Sequence, residues 1–420
     1  MRRRLIAAAA TAMAAFAVAI PAAHAALNQP AAVSTNPADF TPNVTDGEVR
    51  AFAVVGDTVV VGGDFDTVTD AQRKVRYNRK NLFAYRATTG EILPFAPQPD
   101  APVFTLATGP NNTVYAGGQF KRIAGGEQRG LAQLNLADGS RVPAFTAAIN
   151  WGDSRSVIAQ GPWLYVAGSF SAIGSTQRIG LARLNAATGA VDPAFDLKLA
   201  APHLTRVKLE DLALTPDGTR LAVVGAVEQA AGQWRAQVVM VDMPAGGAVK
   251  LADWYTDAYA HECRAGFETY LRGVDFDPTG TYATIVATGR KWGENLMCDT
   301  AARFDLRGTG LHKPLWVNHT GGDSLYSVAD TGSAVYVGGH QRWMDNPQGR
   351  ETAGPGAVSR PGIAAIDPKT GKATAWNPQR NPRGVGARAL LATPQGLLVG
   401  SDTERIGGEY HGRLALMPVA

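Results

Sequence analysis

The sequence predicts an all-β fold, a seven-bladed β-propeller of four-stranded blades with the ring closed by an N-terminal strand. Three observations lead there. Residues 114–145, VYAGGQFKRIAGGEQRGLAQLNLADGSRVPAF, return over 164–195 as LYVAGSFSAIGSTQRIGLARLNAATGAVDPAF, so a unit of about fifty residues repeats. Within the unit, short apolar runs alternate with glycine-rich turns, the pattern of antiparallel strands stacked around an axis. The last repeat stops after its third apolar run, while Pro37-Ala38-Asp39-Phe40-Thr41-Pro42 near the other end resembles the fourth runs at 93–99 and 142–148. That segment is expected to form the outer strand of the last blade and so to remove a sheet edge.

From the N-terminus, Met1 is followed by Arg2, Arg3 and Arg4, an apolar run over 5–20 and Ala23-His24-Ala25. These are the basic, apolar and small-residue parts of a secretory signal cleaved after Ala25, and they predict a secreted or periplasmic protein. The expected organisation is a signal peptide at 1–25, a lead at 26–36 and one propeller domain at 37–420. Without the three leader arginines, 37 Lys and Arg face 36 Asp and Glu. The mature chain is thus near neutral and has no electrostatic footprint for nucleic acid. No later apolar run is long enough to span a membrane.

Innermost strands are expected at 49–55, 103–108, 154–160, 207–214, 270–276, 325–330 and 387–393. Each is followed by a turn such as Val55-Gly56-Asp57 or Pro216-Asp217-Gly218, where Gly, Asn and Asp supply the backbone angles of short hairpins. Second strands rich in β-branched and aromatic residues follow, then glycine, then third strands, clearest at 82–86, 131–135, 181–185, 363–367 and 414–417. The stretch 207–316 departs most from the repeat.

The pattern Tyr-x-Gly-Gly-x-Phe, Ile-Gly-Gly, Arg-x-Gly-Leu-Ala-x-Leu-Asn, Thr-Gly and Pro-Ala-Phe resembles the delta-60 β-propeller repeat of secreted bacterial proteins. The likeness covers 59–195, returns over 335–417 and is faint between. It implies an extracellular propeller; the family brings no established reaction or catalytic residue.

The longer loops join second to third strands, and outer strands to the next inner strand. They are expected on one face, which is therefore the candidate functional surface. Cys263 and Cys298 both fall there, and an exported chain with two cysteines is expected to pair them. The position after the second-strand glycine is occupied by Asp64, Gln119, Ser169, Ala226, Thr288, His340 and Asp402. Asp64, His340 and Asp402 belong to adjoining blades once the ring closes. They suit either a divalent metal or acid–base chemistry, or, more simply, the capping of turns by side chains. Aromatic and polar residues on the same loops, Trp151, Tyr270, Arg290, Trp292, His340 and Trp343, form the candidate ligand-binding set, since Trp and Tyr stack on sugars; burial between blades is the alternative for each. Arg129, Arg178 and Arg360, repeated before third strands, are expected to make structural bonds between blades or to loop carbonyls.

The sequence contains no nucleophile elbow, phosphate loop, zinc helix or C-x-x-C pair. The expectation is a monomeric, non-catalytic protein that binds an extracellular glycan, ahead of a protein, through the loop-rich face. The second expectation is a hydrolase or lyase with a metal or carboxylate site at the channel mouth. No cofactor other than such a divalent metal is implied.

Overall fold

Alternating apolar residues pair into antiparallel ladders wherever the sequence places a hairpin turn. The computed structural model describes residues 27–245, 247–381 and 384–420; the leader expected at 1–25 lies outside the described residues. The chain is all-β, with each expected innermost run forming a strand: Glu48–Val55, Val103–Gly109, Ser154–Gln160, Lys208–Leu214, Leu271–Phe276, Leu325–Asp330 and Ala389–Thr393. Each pairs with the strand after its turn, and that strand pairs with a third, as in Glu48–Val55, Thr58–Asp64 and Leu82–Arg86. The divergent middle obeys the same order through Val238–Asp242 and Thr300–Asp305.

Each inner strand contacts the inner strand of the next sheet, and Glu48–Val55 contacts Ala389–Thr393. Apolar cores lie between neighbouring sheets, including one in which Val49, Phe52 and Val61 of the first sheet pack with Ala389, Leu398 and Leu416 of the last. The approach is close. A Cβ on Gly62 would lie 2.7 Å from Val103 Cγ1, and one on Gly400 would lie 2.6 Å from Val49 Cγ1, which explains the glycines that recur in the second strands.

The expected fourth strands are mostly curtailed. Lys250–Leu251 and Trp316–His319 extend their sheets. The runs at 93–99 and 142–148 instead follow single bridges, Tyr85 to Ile92 and Leu134 to Arg141, after which the chain leaves the ladder. Pro94 and Pro143 stand just beyond those bridges and supply no N–H to continue pairing. The phenylalanine of Pro-Ala-Phe then turns inward: Phe145 packs on Tyr115 and Phe195 on Tyr165, with ring centroids 5.4 and 5.8 Å apart. Trp376 takes this role against Tyr336.

The N-terminal lead lies along the last sheet. The N–H groups of Ser34 and Ala38 donate to the carbonyls of Pro418 and Leu416, at 2.7 and 2.8 Å. Val33 N–H donates to the Tyr336 hydroxyl and Trp376 Nε1 to the Ser34 carbonyl.

Many loops between second and third strands are themselves small hairpins, such as Arg122–Ile123 with Gly126–Glu127, and Arg405–Ile406 with Glu409–Tyr410. The Ile-Gly-Gly segments of the repeat are in part the turns of these hairpins. Arg178 Nη2 reaches the Asp192 carbonyl at 3.2 Å and Arg360 Nε the Thr374 carbonyl at 3.1 Å, the structural bonds expected of them, whereas Arg129 is exposed and lies 3.9 Å from Glu127. Among the described residues, no helix is long and apolar enough to cross a membrane.

Candidate functional site

Inner strands begin at the end of the sheets from which the long loops rise, and there the ladder slips by one residue. The register skips between Val49 and Ala51, Val103 and Thr105, Ser154 and Ser156, Leu209 and Asp211, Leu271 and Gly273, and Leu325 and Ser327. A β-bulge re-aims its extra residue away from the sheet faces. The residues at the bulges, Arg50, Phe104, Arg155, Glu210, Arg272 and Tyr326, together with Arg388 just before the first pair of the last sheet, line a common cavity of about 320 Å³.

These side chains are tied to one another. Arg155 holds both oxygens of Asp153 at 3.1 Å and reaches Glu210 Oε2 at 2.9 Å. Glu210 also receives Lys208 at 2.9 Å and lies 3.8 Å from Arg272. Glu48 is shared by Arg50 and by Arg388, whose Nε lies 2.8 Å from it. The guanidinium groups of Arg50 and Arg155 lie over the Phe104 ring, and that of Arg388 over Tyr326, 4.7 Å from its centroid.

The charges respond to this setting. Burial opposes ionisation of Glu210, but Arg155, Arg272 and Lys208 outweigh it and hold the carboxyl below its ordinary range. Asp153 is held down in the same way, against burial, by Arg155, Ser169 and Gln119. Burial lowers Arg272, and Arg155 and Arg388 add to that by like-charge repulsion, while Glu210 and Tyr326 oppose it. One residue past the bulge, Asp211 is pushed up to about 6 by burial; Val274 and Leu212 N–H and Ser156 Oγ donate to its oxygens, stitching three inner strands together.

The residues singled out from the sequence are distributed around the loop face. Trp151 is 86 % exposed at a backbone φ of 55°, on a groove of about 610 Å³ formed with Phe170, Ile179, Leu199, Pro202 and Arg206. Trp292 is 42 % exposed, and Arg290 lies 3.6 Å from Glu351. Trp343 is half-buried beneath the Arg342 guanidinium, which Asp323 holds in place. Tyr270 must be withdrawn from the ligand-binding set. It is 1 % exposed and its hydroxyl donates to the His261 carbonyl, the interior alternative weighed for these aromatics.

The metal set is likewise not assembled. Asp402 accepts the N–H groups of Val385 and Gly386, and His340 Nδ1 donates to the Gly384 carbonyl, so both side chains fasten the segment leading to Arg388. Asp64 sits exposed at the end of its strand. Among the described residues, the group of three His, Cys, Asp or Glu with ligand atoms within 4.8 Å of one another is His261, Cys263 and Cys298. Its sulfurs form the expected disulfide, with Cα atoms 5.7 Å apart, so they are not available as thiolates to a metal.

Residues 109–143 and 163–195 match the family model described as a domain of unknown function (DUF5122) beta-propeller. The repeat is of the propeller type. No curated protein matches the chain. Among solved structures, the chain is similar to the computationally designed Ika8 protein, at 11 % identity over 92 % of this chain and 100 % of that one, with a TM-score of 0.47.

The bulge residues lie on the inner strands, not at the position after the second-strand glycine from which the candidate metal set is drawn. A signal was present. Val-Arg-Ala, Val-Phe-Thr, Ser-Arg-Ser, Leu-Glu-Asp, Leu-Arg-Gly, Leu-Tyr-Ser and Ala-Arg-Ala each place a large charged or aromatic residue at one repeat position. Two of the residues that were singled out touch this ring: Gln119 and Ser169 both bond the carboxylate of Asp153.

Proposed function

We propose that the chain is exported, closes as a seven-bladed propeller with its N-terminal lead on the last sheet, and binds an extracellular glycan through the loop-rich face without acting on it chemically. The inner-strand contacts, the core between last and first sheets and the bonds from Ser34 and Ala38 support the closed ring. The disulfide supports an oxidising compartment.

Trp151 carries the binding reading. An indole this exposed costs solvation unless a partner covers it, and it stands beside an apolar floor with the exposed Arg206 at the same groove. A sugar offers an apolar C–H face to the ring and hydroxyls to the arginine. The test is a glycan array probed with the mature protein, followed by titration of tryptophan fluorescence with the best ligand. Trp151→Ala is expected to weaken binding at least tenfold with an unchanged melting temperature. Retention of full affinity would remove the groove from the function. Export is checked separately: the protein in the extracellular or periplasmic fraction should begin at Ala26.

A further inference from the structure

Beyond the Trp151 groove, the outer part of the cavity between the inner strands, where the bulge residues stand, gathers more positive charge than the carboxylates paired with it. Arg50, Arg155, Lys208, Arg272 and Arg388 face Glu48, Asp153 and Glu210, leaving two positive charges. The imbalance is local. Each nitrogen of Arg155 donates to Asp153 or Glu210, whereas Arg388 Nε lies 2.8 Å from Glu48 without the alignment of a hydrogen bond and, among the described residues, none of its side-chain nitrogens is hydrogen-bonded. Arg272 gives its Nη atoms to the Leu271 and Thr269 carbonyls and leaves Nε unused among the described residues. Tyr326 lies between them in chain order, with Arg388 stacked on its ring.

We propose that this sector, Arg272, Tyr326, Arg388 and Arg50, is a binding site for a small molecule bearing two or more oxyanion charges, as phosphate, sulfate or clustered carboxylates. Guanidinium N–H groups match such oxygens in pairs, and a phenol adds one donor. The donors are pre-positioned: Glu48 fixes Arg50 and Arg388, Phe104 and Tyr326 support the guanidinium planes, and the bulges fix the backbone, so little side-chain freedom is lost on binding. A cavity of about 320 Å³ admits a compact anion rather than a polymer chain. Of the deeper acidic groups, Asp330 is paired with Arg303 at 2.7 Å, and Asp275 accepts the N–H groups of Phe276 and Asp330 while burial drives it toward the neutral form. Asp211 accepts three hydrogen bonds and, pushed up to about 6, still carries charge at neutral pH, so the surplus falls to about one positive charge. The mutual repulsion of Arg272, Arg155 and Arg388 is a cost that a bound anion would relieve.

The experiment is isothermal titration of the mature protein with inorganic phosphate, sulfate and citrate at matched ionic strength, with chloride as the reference. At least one of the three is expected to bind at a single site, with affinity falling as salt rises. Arg388→Gln should weaken it at least tenfold, Tyr326→Phe by a few fold and Arg388→Lys less than Arg388→Gln, while Trp151→Ala leaves it unchanged. Tyr326→Phe keeps the charges and the ring, so it tests the site even if Arg388→Gln fails to fold. Absence of single-site binding by all three anions, or binding indifferent to Arg388→Gln and Tyr326→Phe, would overturn the proposal. Sensitivity to Trp151→Ala would instead assign the anion to the outer groove.

Discussion

Removing the Cys263–Cys298 bridge should lower stability by an amount set by chain entropy. The two cysteines are 35 residues apart and are 2 and 3 % exposed. A closed loop of that length restricts the unfolded chain by about 4 kcal/mol at 25 °C. A chain of this size gains roughly 0.8 kcal/mol per kelvin of unfolding entropy, so the loss corresponds to a fall in melting temperature of about 5 °C. Replacing both cysteines by alanine is the cleaner perturbation, because serine would bury two hydroxyls in a cluster made by Tyr259, Tyr270 and Met297. The assay is calorimetric melting of wild type and Cys263→Ala/Cys298→Ala, each with and without a phosphine reductant. The double variant should melt about 5 °C lower and ignore the reductant, and reduced wild type should approach it. A double variant within 1 °C of wild type would refute the entropy argument and mean that the 263–298 loop is held by its side-chain bonds, such as Met297 N–H to His261 Nε2.

Two further perturbations probe other joints. Deleting residues 27–42 removes the donors from Ser34 and Ala38, and amide exchange over 414–418 should accelerate more than that over 131–135; equal rates would mean that the lead does not protect the last sheet. Burial pushes Asp299 up to about 7, against hydrogen bonds from Lys291 N–H and Ser324 Oγ. A carboxyl raised in the folded state costs stability when ionised, so the penalty is present above about pH 7 and fades as pH falls toward 4. Asp299→Asn should therefore gain stability over wild type at pH 8, by up to a few kcal/mol, and much less at pH 5 in urea unfolding; an equal difference at both values would exclude titration of this group as the cause.

The strand plan was legible because the turns repeat and glycine recurs where sheets approach. Third strands at 82–86, 131–135 and 181–185 have the expected bounds, since each lies between a loop arginine or glycine and a Thr-Gly or Asp-Gly turn. Fourth strands are shorter than their apolar runs suggest: the run continues through Pro94 and Pro143, but the ladder needs N–H donors that proline lacks. The candidate site was less legible than the fold. Tyr270 is buried in a cluster that includes Cys263 and Cys298 from separate loops, and Trp151 is exposed at a residue with a positive φ, arrangements that no single residue type announces. The bulge residues carry a repeat signal, yet their convergence follows from contact between inner strands more than fifty positions apart.

The bulges also bear on how such a molecule can change. The bulge residues stand outside the apolar cores between the sheets and tie to one another and to adjoining charged groups, so those cores leave their identity open. Arg, Phe, Glu and Tyr already share this position on one backbone. The wall of this cavity can therefore be rewritten in charge and in shape, while the glycines and apolar residues that seat each sheet on the next stay as they are. Divergence in this architecture should concentrate at these positions, and their composition in a given chain would record the ligand to which the cavity was fitted.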